Sequence, residues 1–152
     1  DVDLLAPIEL CRLFVPWMLE TGGGKIVNLS GGGAAGPRPN FAAYATAKTG
    51  LVRFSECLAA ELAGKGIDVN CVAPGTMPTS MHHQGDGGRP NSDCDYMQKP
   101  AELISFLLSS ESDGISGKLI SAVWDDWTRL RGLENDDYTL RRMTPKEETI
   151  DV

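Results

Sequence analysis

The sequence predicts an α/β domain in which helices cover a parallel sheet on both faces. Two short apolar runs, residues 25–30 and 67–73, are nearly continuous, as is typical of parallel strands buried on both sides. Longer segments with apolar residues at helical spacing precede, separate and follow these runs. Strands that alternate with helices imply right-handed crossovers, so we expect a three-layer α/β/α sandwich.

Each element has a local signal. Glycines 22–24 end the first helix, and Gly64 and Gly66 end the second. A run rich in Pro, Gly and polar residues separates the second strand from the last helix. We therefore predict helices over residues 4–20, 41–63 and 99–109, strands over residues 25–30, 67–73 and 118–123, and irregular chain over 74–98.

Composition narrows the class of protein. Hydrophobic residues make up 41% and charged residues 23% of the 152 residues, which is ordinary for a globular domain. A net charge of -7 argues against a nucleic-acid-binding surface, and no apolar run approaches the length of a membrane span. We expect neither nucleic acid nor a membrane as a partner.

Cysteine and histidine positions give no metal-ligand pattern. The cysteines are scattered, and three of them lie in predicted helix or strand, where a free thiol behaves as a small hydrophobe. This usage favours a reducing, cytoplasmic setting. His82 and His83 are adjacent in irregular chain without a third ligand, so we predict no metal. The four cysteines are Cys11, Cys57, Cys71 and Cys94.

Tyr44 and Lys48 form the candidate catalytic pair. They are four residues apart in the predicted helix 41–63, so their side chains share one face. A cation beside a tyrosine favours the phenolate and makes the phenol usable for proton transfer nearer neutral pH. A Tyr-x-x-x-Lys spacing alone occurs by chance on many helices. The surrounding residues must therefore show whether this pair is catalytic.

The surrounding residues carry a family resemblance. The strand Lys25-Ile-Val-Asn-Leu-Ser30 precedes the pair, and the strand Ile67-Asp-Val-Asn-Cys-Val-Ala73 with Pro74-Gly75 follows it. This order resembles the C-terminal half of a short-chain dehydrogenase/reductase over about residues 2–123. The resemblance implies a partial Rossmann-type sandwich. The family's N-terminal βαβ half is absent, so we expect a fragment or a truncated member.

The resemblance also implies roles and ligands. Tyr44 would be the general acid/base, and Lys48 would lower its pKa and hold the nicotinamide ribose. The cofactor would be NAD or NADP, and the substrate an alcohol or ketone. The implied cofactor-binding residues are Tyr44, Lys48, Pro74, Gly75, Thr76 and Thr79.

Two positions depart from the family pattern. The family's catalytic serine precedes the tyrosine by thirteen residues, a place that Gly31 takes in this chain. Ser30, one residue earlier, could serve if the glycine-rich loop bulges, so either residue remains a candidate for that place. Asp3 stands where the family commonly has asparagine, and an ionised carboxylate can only accept hydrogen bonds.

The glycines from Gly31 to Gly36 match G-x-G-x-x-G but do not read as a phosphate-binding turn. Such a turn must open directly into a helix, whereas Pro37 and Pro39 keep this chain extended. An acidic residue ending the next strand is also missing. We interpret this stretch as a flexible loop beside the site.

The remaining segments concern partners. Residues 1–123 form the predicted domain, and residues 124–152 a charged, peripheral tail that either wraps a neighbouring subunit or is solvated. The family pairs through two helices, so the resemblance implies a homo-oligomer through helices 4–20 and 41–63. The leading hypothesis is a nicotinamide-dependent oxidoreductase. The alternative is a non-catalytic remnant of the same fold, acting at most as an interaction module.

Overall fold

Three parallel strands form the centre of the domain in the computed structural model, which describes residues 1–77, 95–130 and 139–140. They are β1 (Gly24–Leu29), β2 (Ile67–Ala73) and β3 (Leu119–Ser121), in the order β1-β2-β3. Ile26 lies opposite Val69 in the first pair of strands. All the pairing is parallel, so the carboxyl ends of the strands meet at one edge of the sheet.

Within the described residues, three helices surround this sheet: α1 (Leu5–Thr21), α2 (Ala42–Glu61) and α3 (Asp95–Leu108). Gly22 ends α1 in the left-handed conformation that glycine adopts without strain, and its N–H donates to the Met18 carbonyl. Within the described parts of the chain, no helix combines the length and the apolar character that crossing a membrane requires.

Separate clusters of apolar side chains pack on the two faces of the sheet, and β2 contributes to both. Val69 packs with Ala59 and Leu62 near α2, while Val72 packs with Leu103 and other residues of α3. Alternate residues of a strand point to opposite faces, so α1 and α2 form one layer and α3 the other. The predicted three-layer α/β/α sandwich is confirmed.

All predicted helix and strand boundaries except the start of the last helix agree with the structure to within two residues. The last helix begins at Asp95 rather than at residue 99, so Pro100 lies inside the helix instead of near its start. The last strand ends at Ser121 rather than at residue 123. The Ser121 hydroxyl accepts hydrogen bonds from the backbone N–H groups of Val123 (3.3 Å) and Trp124 (3.2 Å), which turns the chain away from the sheet.

The first residues of the predicted peripheral tail, up to Leu130, are packed against the domain. The Trp127 and Phe106 ring centroids are 5.9 Å apart, and Leu130 is only 3% exposed within the α3 core. Further on, the Leu140 N–H donates to Glu56 Oε1 over 2.6 Å. Apolar side chains therefore hold residues 127 and 130 to their own chain. Residues 131–138 and 141–152 lie outside the described residues.

The cysteines divide into buried and exposed. Burial raises the pKa of Cys11, and burial raises the pKa of Cys71 to about 11. Both thiols therefore behave as the small hydrophobes that the sequence predicts. Cys57 differs, because it lies on the exposed side of α2. Cys94 is outside the described residues.

Lys25 joins elements at the amino end of the sheet. Its ammonium lies 3.0 Å from Asp68 Oδ2 on β2 and 2.8 Å from Asp113 Oδ1 beyond α3, and it donates to the Ser112 hydroxyl. Burial alone lowers the pKa of Lys25, but the hydrogen bonds that its ammonium donates to Asp113 and Asp68 outweigh this effect, so the pKa is raised. The charged form is thus the one that stabilises the fold.

Replacing Lys25 with methionine is expected to lower the free energy of unfolding by about 2–3 kcal/mol, because Asp68 would stay mostly buried without its cation. Urea denaturation measures this loss, and Lys65→Met makes the same change at an exposed position. A raised pKa means that the contribution is complete below about pH 10 and is lost as the pH rises through the folded-state pKa. Equal losses in both variants would contradict this role.

Candidate active site

The carboxyl ends of β1 and β2 bring the predicted site residues to one edge. Leu29 at the end of β1 pairs with Val72 of β2, and the Ser30 N–H donates to the Val72 carbonyl over 2.8 Å. Gly31 continues from β1, and Pro74 continues from β2. Ligands of open parallel sheets bind beyond this edge, so the position suits a binding site.

Tyr44 and Lys48 lie on the same face of α2, as their spacing predicts. The Lys48 Nζ atom is 5.8 Å from the centroid of the Tyr44 ring. Tyr44 is half-buried, and its phenolic oxygen lies against Gly31 just beyond the end of β1. The pair can therefore present a proton donor and a fixed positive charge to the same ligand.

The Lys48 ammonium is held by two oxygen atoms. It donates to the Leu29 carbonyl at the end of β1 over 3.0 Å and lies 3.0 Å from Asp3 Oδ1. The side chain is only 12% exposed, so these contacts fix its direction. Among the described residues they use two of the three ammonium N–H groups, which leaves one for a ligand.

Asp3 is the site residue whose contact the sequence did not reveal. The sequence marks it only as a departure from the family pattern, whereas the structure pairs its carboxylate with Lys48 across the turn before α1. No local motif signals this contact, because it depends on how the first turn of the chain meets α2. The carboxylate offsets part of the positive charge beside Tyr44.

Ser30 and Gly31 have different surroundings. Ser30 is 5% exposed, and its hydroxyl is enclosed without a hydrogen-bond partner in the parts of the chain that the structure describes. Gly31 instead lies directly against Tyr44, because a β-carbon at residue 31 would overlap the phenolic oxygen. The role predicted for Ser30 stays a prediction. Residue 31, the position where the resemblance implies a serine, lies next to the phenol of Tyr44.

The segment after β2 forms the second wall of the edge. Gly75 has a φ angle of +89°, a left-handed conformation that favours glycine, and a β-carbon there would lie 2.6 Å from Val123 Cγ2. Thr76 is exposed, and Pro74 is half-buried. The positive φ angle and the close approach of Val123 together account for a glycine at residue 75.

Several predicted residues cannot be placed. Thr79, His82 and His83 all lie outside the described residues, as does most of the segment where the family builds its substrate lid. In the described ranges, no group of three or more His, Cys, Asp or Glu side chains could hold a metal ion. The sequence's exclusion of a metal at the adjacent histidines remains a prediction.

The glycine-rich loop does not open into an α-helix. Gly32–Ala34 forms a single 3₁₀ turn, and α2 begins only at Ala42. The loop is packed against the first turns of α2, where Gly33 faces Ala45. Its glycines therefore permit close packing beside the phenol, in line with the interpretation of this stretch as a loop beside the site.

Known proteins resemble this chain along most of its length. The model of the short chain dehydrogenase family matches residues 1–88. A 2-dehydro-3-deoxy-L-rhamnonate dehydrogenase (NAD(+)) from Sphingomonas is 36% identical over 112 residues, covering 74% of this chain and 43% of the relative. The 3-oxoacyl-[acyl-carrier-protein] reductase FabG of Thermotoga maritima is 30% identical over 135 residues, covering 79% of this chain and 52% of the relative.

Solved structures give the same result. A 4-hydroxyisoleucine dehydrogenase complexed with NADH and succinate is 25% identical to this chain, with a TM-score of 0.67. The match covers 80% of this chain and 54% of that structure. The chain thus spans about half the length of the relatives that it matches.

Proposed function

Because the chain belongs to the short-chain dehydrogenase family, we propose that it serves an oxidoreductase that moves hydride between a nicotinamide cofactor and an alcohol or carbonyl substrate. The observation that carries the proposal is the shared face of Tyr44 and Lys48 beyond the carboxyl end of β1. Relatives named as dehydrogenases and reductases support the reaction type.

The residues present fit a nicotinamide cofactor, NAD or NADP. The remaining N–H of Lys48 and the Tyr44 hydroxyl are two polar groups suited to the ribose, and Pro74, Gly75 and Thr76 follow β2 at the same edge of the sheet. One relative is named for NAD(+), and one similar structure is described as an NADH complex. Thr79, if it follows the family pattern, would contact the carboxamide.

In the proposed reaction the cofactor supplies or accepts the hydride, while the protein handles the proton. During carbonyl reduction, Tyr44 Oη donates its proton to the carbonyl oxygen as a C–H bond forms at the carbonyl carbon. During alcohol oxidation, the same oxygen atom takes the hydroxyl proton as that C–H bond breaks. Lys48 stabilises the phenolate by charge, and its contacts with Leu29 and Asp3 keep it beside the phenol.

For Ser30, we propose that its hydroxyl reaches a substrate oxygen only after the loop beside it moves. Its enclosed hydroxyl would have to turn outward to reach a substrate oxygen. We therefore assign proton transfer to Tyr44 and assign the charge to Lys48, without requiring a hydroxyl at residue 30.

An assay of nicotinamide absorbance over a panel of alcohols and ketones tests this function. The polypeptide should be used as encoded, with any coding sequence that precedes Asp1, and NAD(H) and NADP(H) should be tested separately. Turnover of at least one alcohol or ketone with one cofactor is the expected result. If neither cofactor binds saturably and no substrate is turned over, the result would favour the non-catalytic alternative.

We also propose that the protein self-associates through α1 and α2. An apolar stripe on α1 faces outward, each side chain being between 50% and 59% exposed. Exposed apolar side chains clustered on one helix face commonly mark a protein interface. The stripe consists of Leu10, Leu13, Phe14 and Trp17.

Replacing both Phe14 and Trp17 with glutamate is expected to shift the protein from oligomer to monomer, because the charges would oppose burial of the stripe. Light scattering coupled to gel filtration measures the mass in solution. Arg12→Glu places a new negative charge on the same exposed helix but away from the stripe, and should leave the mass unchanged. An unchanged mass in the double variant would remove α1 from the interface.

A further inference from the structure

The backbone conformation at residue 31 does not require a glycine. Its φ and ψ angles are −173° and 170°, which is extended chain that any residue can adopt. Gly75 differs, since its positive φ angle by itself favours glycine. Some contact other than backbone strain must therefore account for a glycine at residue 31.

That contact is the hydroxyl of Tyr44. A β-carbon built at Gly31 would overlap Tyr44 Oη and would lie 3.5 Å from Cζ of the same ring. The neighbouring Gly32 and Gly36 have no heavy atom within 4 Å of an added β-carbon. Compared with these two glycines, Gly31 stands out because the phenolic oxygen fills the space that a side chain would need.

Ser30 does not compete for this space. Its hydroxyl is enclosed and makes no hydrogen bond in the described part of the chain, whereas Tyr44 Oη lies against the backbone of residue 31. The loop therefore holds the phenol through the absence of a side chain and not through a partner hydroxyl. On the helix side, the Lys48 ammonium is bonded to the Leu29 carbonyl and lies 5.8 Å from the centroid of the same ring.

We propose that Gly31 is a positioning residue for Tyr44: the missing side chain lets the phenolic hydroxyl rest against the end of β1, and so sets where the proton is exchanged. The catalytic consequence rests on the proposed function, but the contact does not. Serine at residue 31 would restore the usual family pattern, yet in this chain it would displace the phenol. Gly31→Ser therefore lowers kcat.

A double-mutant cycle on the polypeptide as encoded tests the contact without any activity measurement. Gly31→Ala is expected to lower the Tm by about 3–6 °C in the natural background, because an added β-carbon overpacks the loop. In the Tyr44→Phe background the phenolic oxygen is gone, and the loss should be less than half as large. Gly32→Ala, the matched control, should change the Tm equally in both backgrounds.

A spectroscopic signature separates positioning from general destabilisation. With tyrosine labelled at the ring carbon that bears the hydroxyl, the resonance that disappears in Tyr44→Phe is assigned to Tyr44. That resonance should shift in Gly31→Ala and stay in place in Gly32→Ala. Where turnover is measurable, Gly31→Ser should lower kcat about tenfold or more with a smaller change in KM.

The outcomes are distinct. Unfolding of Gly31→Ala only when Tyr44 is present would support the contact, as would a reduced loss in the Tyr44→Phe background. Equal losses in both backgrounds, including failure to fold in both, or an unmoved Tyr44 resonance, would overturn the proposal. A rise in kcat for Gly31→Ser would also overturn it. Absence of turnover in every variant would overturn the proposed function and leave the cycle's result standing.

Discussion

Replacing Tyr44 with phenylalanine is expected to lower kcat by about 10²–10⁴-fold, the range that one general acid/base commonly contributes. The substitution removes only the phenolic oxygen, which lies at the edge of the sheet against Gly31. The aromatic ring is retained, so its packing against the glycine-rich loop should be kept. The rate is measured from nicotinamide absorbance with the substrate found in the panel, and folding is checked by circular dichroism.

Tyr138→Phe is the matched control for this substitution, because it makes the same chemical change at a residue to which no role is assigned. It should retain nearly full activity. Activity that survives Tyr44→Phe to within a factor of about three would remove the phenol from the mechanism, whatever the other variants do.

The second large effect is expected at Lys48. Lys48→Met keeps a side chain of similar length but removes the charge beside the phenol and the donor available to a ligand. Losing one preorganised electrostatic contact of this kind typically costs about 10²–10³-fold, and we expect that loss in kcat/KM. The KM for the cofactor should rise as well, because the lysine is proposed to hold the ribose.

Asp3→Asn separates the charge of Lys48 from its ion pair. This variant keeps the ammonium and its 3.0 Å bond to the Leu29 carbonyl but removes the negative partner. We expect activity within about tenfold of the natural protein, because the positive charge beside Tyr44 is retained. A loss as large as that of Lys48→Met would mean that the ion pair, and not the ammonium alone, sustains the site.

The sequence predicts the central elements well because their signals are local. The apolar run of β2 is bounded by glycine on one side and proline on the other, and the structure gives the same limits, Ile67–Ala73. The end of β3 was not predictable in the same way. It depends on the Ser121 hydroxyl accepting two backbone N–H groups, a choice that the residue type allows but does not dictate.

In the candidate site, too, some features follow from the local sequence and others depend on tertiary contacts. The spacing of Tyr44 and Lys48 fixes their shared face, because helix geometry alone determines it. The Asp3 contact with Lys48 and the Gly31 contact with Tyr44 join segments far apart in the chain, so no short-range pattern contains them. Likewise, the helical spacing of apolar residues in α2 does not show that Leu51 is buried while Ala43 is exposed. Tertiary packing makes that distinction.

In the proposed reaction, hydride passes between a nicotinamide and a carbonyl carbon while Tyr44 exchanges the proton. The most direct measurement uses reduced nicotinamide carrying deuterium at the transferable position and follows the label by mass spectrometry of the alcohol product. We predict one deuterium on the carbinol carbon, formed at a rate that Tyr44→Phe lowers by about 10²-fold or more. An unlabelled alcohol, or a labelled one formed equally fast without the phenol, would contradict the account.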